Sequence, residues 1–184
     1  MARTMDRQER DRAVVDAAWR VITTDGIEAL SVRRVAAEAG LAPSSLRYSF
    51  PTQTSVRERA LEAAAERLER RIDAIDADLP PRAWARAALH ELLPLDDNRR
   101  AEMSATLALG MAARSDPSLQ PLRRTFDGSV RGVCARAARA LGRDDERDPA
   151  VLHALVDGLA FHVTSAPDDD PVWAVDALDR WIGG

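Results

Sequence analysis

The chain has 184 residues, enough for one large domain or for a small domain joined to a larger one. Apolar residues make up 46% and charged residues 30%, which excludes a disordered chain, and no segment approaches the roughly 20 apolar residues of a membrane-spanning helix. The net charge of −4 argues against nucleic acid as a partner, although residues 1–50 hold eight arginines against seven acidic residues.

Helical periodicity dominates the chain, and turn residues separate the periodic segments. The first helix places Val14, Ala18, Val21 and Ile22 on one face and ends at Gly26. The pattern predicts an all-α fold of about nine helices. The other eight are expected near residues 31–39, 43–49, 52–76, 82–93, 98–114, 117–141, 147–165 and 171–182.

The second and third helices are predicted to form a helix-turn-helix. Ser31 is placed to cap the second helix, and Gly40 to end it in a left-handed conformation. Pro43 suits the first turn of a short third helix, and Leu46 is expected to enter a three-helix core. This leaves an exposed face suited to the DNA major groove, made of Pro43, Ser44, Ser45, Arg47 and Tyr48. A plain helical hairpin with a solvated polar face remains the alternative.

The segments VVDAAWRVITTDG (14–26) and SVRRVAAEAGLAPSSLRYSF (31–50) resemble the DNA-binding domain of TetR-family transcriptional regulators. The segment SLRYSF (45–50) is similar to a branch whose ligand domain resembles that of the choline-pathway repressors. DPSLQPLRR (116–124) and LVDGL (155–159) agree more loosely. The resemblance implies an all-α homodimer that binds a palindromic DNA operator and releases it when a small-molecule effector binds.

The resemblance also implies a division into a DNA-binding domain, residues 1–51, and a ligand-binding and dimerisation domain, residues 52–184. Four positions depart from the usual pattern: Ala42 replaces a capping serine, Ser49 replaces a tyrosine, Tyr48 stands where histidine is common, and Gln53 replaces a lysine. Carried over by position, the residues expected at the DNA are Ser31, Arg33, Pro43, Ser44, Ser45, Arg47, Tyr48, Ser49 and Gln53.

No set of residues in the sequence indicates catalysis, a metal or a cofactor. His153 and His162 lie nine residues apart, on opposite sides of a helix, so they do not share a metal. His153 and Asp157 are i, i+4 neighbours and are expected to be structural or to line a pocket. Cys134 has no evident partner base, and as the single cysteine it excludes an internal disulfide. With a charged N-terminus that lacks an apolar signal core, this predicts a cytoplasmic protein that is not an enzyme.

An effector pocket is expected in the second half of the chain. Apolar residues at helical spacing form soft walls there, suited to an apolar or cationic ligand, although each one alone is also consistent with ordinary core. The residues expected to line the pocket are Trp84, Met103, Leu107, Met111, Phe126, Val130, Phe161 and His162.

Self-association is expected through the last two helices. Ala154 and Gly158 would allow a second helix to approach closely, and the final helix is too apolar for a terminal surface helix. The residues expected at this dimer interface are Ala154, Gly158, Trp173, Leu178 and Trp181. The leading interpretation is a ligand-responsive repressor. The alternative is a helical scaffold or regulator dimer of the same fold that does not bind DNA, favoured by the net acidity and by Gln53.

Overall fold

A computed structural model describes residues 7–114, 117–143, 145–166 and 168–183, and all regular structure in these ranges is helical. The prediction of an all-α fold with about nine helices is confirmed. The α-helices are α1 (Arg7–Asp25), α2 (Val32–Glu38), α3 (Pro43–Ser49), α4 (Gln53–Asp73), α5 (Pro81–His90), α6 (Asp97–Ala112), α7 (Gln120–Ala140), α8 (Asp148–Ser165) and α9 (Val172–Gly183). Short 3-10 helices span Ile27–Ala29 and Pro117–Leu119.

Helix ends follow local chemistry, with one difference from the sequence-based expectation. Gly40 follows α2 with φ at +66°, a left-handed conformation that favours glycine. Helix α5 ends at His90, whereas periodicity predicted a helix to residue 93. The backbone N–H groups of Leu92 and Leu93 bond three residues back, and Pro94 has no N–H with which to continue the ladder.

The first compact unit comprises the described residues up to Ala64 together with Ala105–Leu122. Helices α1, α2 and α3 pack around Val21, Val35 and Leu46, each of which is fully buried, as the sequence predicted. Arg34 pairs with Asp25 at 2.9 Å and with Glu38 at 3.2 Å, so ion pairs hold the end of α1 to α2. A buried apolar core and an ion-paired rim therefore fix the position of α3.

The second unit comprises Ala65–Ser104 and Arg123–Gly184. Its core is apolar, with Leu89, Cys134, Leu152, Val156 and Leu178 among its fully buried members. Helix α9 packs on α5 and α8. These contacts make the last helix part of the protomer's own core.

A buried carboxylate joins α4 to α6 within the second unit. Glu102 is only 6% exposed, the one charged side chain that counts as buried among the described residues. Its carboxylate lies 3.1 Å from the Arg71 guanidinium and 3.8 Å from the Arg67 guanidinium. Arg71 also pairs with Glu91 at 3.1 Å. Breaking a pair that involves a buried charge is costly, so the cluster ties the two helices together.

Candidate nucleic-acid interface and effector-binding unit

Helix α3 separates its buried and exposed residues sharply. Leu46 is fully buried and anchors the helix, whereas Tyr48 is 92% exposed and Arg47 is exposed beside it. Pro43, Ser44 and Ser49 are exposed as well, and Ser45 is partly buried. A fully exposed aromatic ring forgoes the stabilisation of burial, which is typical of a binding surface. The structure thus places the predicted recognition residues of α3 on one solvent-facing surface.

The stretch of sequence around α3 carries only basic charges, although the chain as a whole is acidic and Arg57 in this stretch pairs with Glu28 at 3.4 Å. No acidic residue occurs between Glu38 and Glu58, a stretch that contains Arg47 and Arg57. Arg33 is exposed on α2, and within the part of the chain that the structure describes neither it nor Arg47 pairs with a carboxylate. Guanidinium groups free of carboxylates are available to phosphates and to guanine edges.

The starts of α2 and α3 differ in their capping. The Ser31 hydroxyl accepts a hydrogen bond from the Arg34 backbone N–H at 3.2 Å, so the predicted cap is confirmed. Ala42 occupies the corresponding position before α3 and provides no side-chain bond. The recognition helix therefore lacks a stabilising contact that α2 has. The contact of Ser31 with DNA stays a prediction.

Gln53 forms a bond inside the chain. Its amide Nε2 donates to the Leu30 carbonyl oxygen at 2.7 Å, which connects the start of α4 to the segment before α2. Thr52 and Ser55 cap the same helix reciprocally, since each hydroxyl accepts from the other's backbone N–H, at 3.0 and 3.2 Å. The start of α4 is thus capped and tied to the segment before α2, and a contact between Gln53 and DNA stays a prediction.

The residues predicted to line the effector pocket are distributed over both units. Leu107 and Met111 belong to the first unit and the other six to the second. Val130 lies in the core of the second unit and Phe126 packs against it, whereas Phe161 and His162 are exposed neighbours on α8 with ring centroids 5.5 Å apart. The six members in the second unit are Trp84, Met103, Phe126, Val130, Phe161 and His162. Their joint role in ligand binding stays a prediction.

The second unit contains a cleft that sequence reasoning did not identify. We name it the α4–α7 cleft; its volume is about 410 Å³, and its walls include Leu68, Glu69, Ile72, Gly132, Val133 and Arg136. Gly128 and Gly132 also line it, one helical turn apart on α7. The sequence feature that indicates the cleft is this pair of glycines. Residues four apart share a helix face, and these two positions on that face have no side chains.

Most of the predicted dimer residues are on the surface, but Leu178 is not. Ala154 and Gly158 are exposed on α8, and Trp173 is 44% exposed on α9. Leu178 is fully buried in the core of its own protomer, so its assignment to an exposed interface patch is wrong. Trp181 also packs against that core, under the guanidinium of Arg143, which lies 3.8 Å from its ring centroid.

Helix α9 shows why the expected patch was too broad. Its charged residues Asp176, Asp179 and Arg180 share one side of the helix, and apolar residues cover the rest, so the pattern alone does not say whether the apolar face meets the protomer's core or a partner. In the structure Ala174, Leu178 and Ile182, spaced four residues apart, turn inward. The exposed side keeps Val172 and Trp173.

The titratable groups described in the second unit include a buried thiol and a histidine–aspartate pair. Burial raises the pKa of the Cys134 thiol to about 12, which keeps it protonated and unreactive at neutral pH. His153 lies 3.4 Å from the Asp157 carboxylate, and burial raises the pKa of Asp157. Among the described residues no group of three potential ligands is placed to hold a metal ion, and no helix in those ranges is long and apolar enough to cross a membrane.

Known proteins match this chain at both ends. Residues 14–60 match the family described as bacterial regulatory proteins, tetR family, and residues 81–183 match the family described as BetI-type transcriptional repressor, C-terminal. The HTH-type transcriptional regulator PksA of Bacillus subtilis (strain 168) is 31% identical over 179 residues, which cover 91% of this chain and 84% of that protein.

Solved structures agree with the sequence relatives. A transcriptional regulator from Rhodococcus sp. Rha1 is 30% identical with a TM-score of 0.82, and the match covers 94% of each chain. The multidrug binding protein EbrR complexed with ethidium is 33% identical with a TM-score of 0.65, covering 93% of this chain and 97% of EbrR. With its exposed α3 surface and its matches at both ends, the chain belongs to the TetR family of transcriptional regulators, with a C-terminal part of the BetI type.

Proposed function

We propose that the protein is a homodimeric repressor that binds a palindromic operator through α3 and leaves it when a small molecule binds. The observation that carries the proposal is the surface of α3, where Arg47 and the almost fully exposed Tyr48 lie in a stretch free of acidic residues. Regulators of this family bind DNA and small molecules and act as dimers. Because its target is DNA, we place the protein in the cytoplasm.

In this proposal, the residues that contact the bases differ from those that position the protein on the DNA backbone. Arg47 and Tyr48 reach base edges in the major groove, whereas Arg33 and Ser31 at the start of α2 fix the register on the phosphate backbone. Pro43, Ser44, Ser45 and Ser49 complete the contact surface, because small residues let the backbone of α3 approach the groove. Gln53 stands beside the phosphates at the start of α4.

The dimer is proposed to form through the exposed face of α8. Val151, Ala154, Gly158 and Phe161 follow one another at helical spacing, and each is exposed in the protomer. The opposite face of α8 is buried in the protomer core through Leu152, Val156, Leu159, Ala160 and Val163. A helix that is apolar on both faces has one face for its own core and one for a partner.

A scaffold dimer that does not bind DNA is the competing function, favoured by the net charge of −4. A gel shift against the DNA that flanks the protein's own gene separates the two. We expect the wild type and Arg131→Ala, an exposed arginine of α7, to retard one fragment, and Tyr48→Ala to lose this shift. Failure of the wild type to retard any flanking fragment would support the scaffold.

Release of the operator requires that effector binding weakens DNA binding and that DNA binding weakens effector binding. Three residues separate the end of α3 from the start of α4, and α4 is unbroken over Gln53–Asp73, so we propose that ligand binding acts on α3 through this helix. Typical coupling of about 1–3 kcal/mol weakens DNA binding by roughly 5–150-fold, and the operator must weaken ligand binding by the same factor. Calorimetry of a bound compound with and without operator tests this, because equal affinities show that the compound is not an inducer.

A further inference from the structure

The α4–α7 cleft combines an apolar floor with two positions on α7 that lack side chains. Leu68, Ile72 and Val133 are buried at its base. A Cβ atom added at Gly128 or at Gly132 would have no atom within 4 Å, so space beside these two residues is open. At about 410 Å³ the cleft has the size of a site for a small organic molecule.

The charged groups of the cleft favour an anion. Arg136 and Arg139 line it together with one carboxylate, that of Glu69. Within the described ranges neither arginine is paired with a carboxylate, so both guanidinium groups have free donors. An arginine fork matches the two oxygens of a carboxylate, and two arginines against one glutamate leave the cleft with a net positive charge.

Two tryptophan rings of the second unit are already covered by cations of the protein itself. The guanidinium carbon of Arg136 lies 5.5 Å from the Trp84 ring centroid, and that of Arg143 lies 3.8 Å from the ring of Trp181. A cationic ligand seeking a cation–π contact would have to displace an arginine from either ring. The exposed rings of Phe161 and Trp173 lie on α8 and α9 and do not line the cleft.

We infer that the α4–α7 cleft binds a small organic anion with an apolar body, and that this is the class of the effector. The apolar body lies along Leu68, Ile72 and Val133, beside the two glycines, and its carboxylate or other acidic group meets Arg136 and Arg139. The inference rests on the proposed function only in assigning an effector role to the ligand. It keeps the apolar body of the sequence-based expectation but replaces the expected cationic group with an acidic one, and it sets the chain apart from EbrR, whose structure holds the cation ethidium.

Matched probes separate the charge of the ligand from its apolar body. Calorimetry with the full-length protein compares phenylbutyrate with phenylbutanol and phenylbutylammonium, and decanoate with decanol and decylammonium. In each set we expect the carboxylate to bind at least about tenfold more tightly than the alcohol, and the ammonium most weakly. A set in which the ammonium binds as well as the carboxylate, or no binding by any probe up to about 1 mM, would overturn the inference.

Charge variants on the two walls are expected to act in opposite directions. Arg136→Gln and Arg139→Gln each weaken the carboxylates about tenfold and leave the alcohols unchanged, whereas Glu69→Gln strengthens the carboxylates. Arg131→Gln is the matched control, since this exposed arginine lies on the same helix but does not line the cleft. If Arg131→Gln and Arg136→Gln weaken carboxylate binding equally, the preference for carboxylates comes from the overall charge of α7 and not from a site in the cleft.

A variant that fills the cleft and still folds tests whether the carboxylates bind there. Gly132→Leu places a side chain in open space and replaces glycine within a helix, so its melting temperature is expected to equal or exceed that of the wild type. We expect the same variant to lose carboxylate binding. Retained binding in a folded Gly132→Leu protein would place the site elsewhere.

Operator binding, measured separately by gel shift, keeps the two proposals distinct. A protein that retards its operator but binds cations refutes the anion site and leaves the repressor intact. A protein that binds carboxylates in the cleft but retards no DNA refutes the repressor and leaves the site intact.

Discussion

Arg47 and Tyr48 are exposed because their neighbour Leu46 is not. The fully buried Leu46 fixes the rotation of α3, and the next two positions then face solvent. Arg47→Ala and Tyr48→Ala remove surface atoms only, so each is expected to change the free energy of unfolding by no more than about 0.5 kcal/mol. Loss of function at these positions would therefore report on binding.

Arg47→Ala is expected to relax the base preference at one position of the operator. An arginine fork on a guanine edge contributes about 1–3 kcal/mol of discrimination, whereas a phosphate contact contributes equally to all sequences. The measurement is binding to a set of single-base operator variants, with Arg33→Ala as the comparison because it should weaken every variant alike. Unchanged selectivity in Arg47→Ala would assign this arginine to the phosphate backbone instead.

Helices α2 and α3 differ in how their first turns are capped. Ser31 supplies a side-chain cap to α2, and Ala42 leaves α3 without one although its backbone has the extended geometry of a cap residue. Ala42→Ser is thus expected to stabilise the first unit by about 1 kcal/mol, and Ser31→Ala to destabilise it by a similar amount. Chemical denaturation of the two variants against the wild type checks the opposite signs. A destabilising Ala42→Ser would mean that the hydroxyl does not reach the start of α3.

Helix α9 is held to α5 by a charged cluster at Asp179. Its carboxylate pairs with Arg86 at 2.6 Å and lies 2.9 Å from the His90 ring nitrogen Nε2. Hydrogen bonding from Arg86, and then from His90, lowers the pKa of Asp179 below its ordinary value of 3.8. The stabilisation is therefore fully present above the unfolded pKa and is lost as the pH falls through the lower folded pKa.

Asp179→Asn is expected to cost about 0.5–1 kcal/mol at pH 7, since the pair is partly exposed. The difference from the wild type should shrink as the pH falls below 3.8, because the carboxylate gains its proton in the unfolded chain first and in the folded protein at its lower pKa. Urea denaturation at pH 7 and at pH 3 measures this, with Arg123→Gln as a control because that arginine pairs with Asp127 within α7. A difference that is the same at both pH values would show that the charge of Asp179 is not the source.

At the scale of the whole molecule, the two faces of the α8–α9 pair have separate roles. Phe161 is 49% exposed on α8, whereas Leu178 on α9 is fully buried in the protomer core. Phe161→Asp is expected to give folded monomers in sedimentation at micromolar concentration, because it puts two charges into the proposed interface. Leu178→Asp buries a charge instead and should destabilise the protomer by more than about 3 kcal/mol. A dimeric Phe161→Asp protein would move the interface away from this face of α8.

The absence of an enzymatic function was also predicted at this scale, and it is confirmed by membership in a family of transcriptional regulators. The buried Cys134, whose pKa of about 12 keeps the thiol protonated, is consistent with this role.

The sequence by itself determined the features that depend on neighbours a few residues away. The helices, the cap at Ser31, the left-handed Gly40 and the burial of Leu46 all follow from local periodicity and turn chemistry, and the structure has each of them. The resemblance in residues 14–50 added the family, because a specific run of residue types marks the helix-turn-helix. These signals need no knowledge of distant contacts.

Only the tertiary structure decided which faces of the apolar helices meet one another. Helix α9 has an apolar face at Leu178, and only its packing against α5 and α8 shows that this face is covered within the protomer. The α4–α7 cleft likewise joins residues about 60 positions apart in the chain, and its arginines look like an ordinary solvated helix face when α7 is considered alone. A helical pattern specifies which residues share a face, whereas the neighbour of that face is set by the packing of the whole unit.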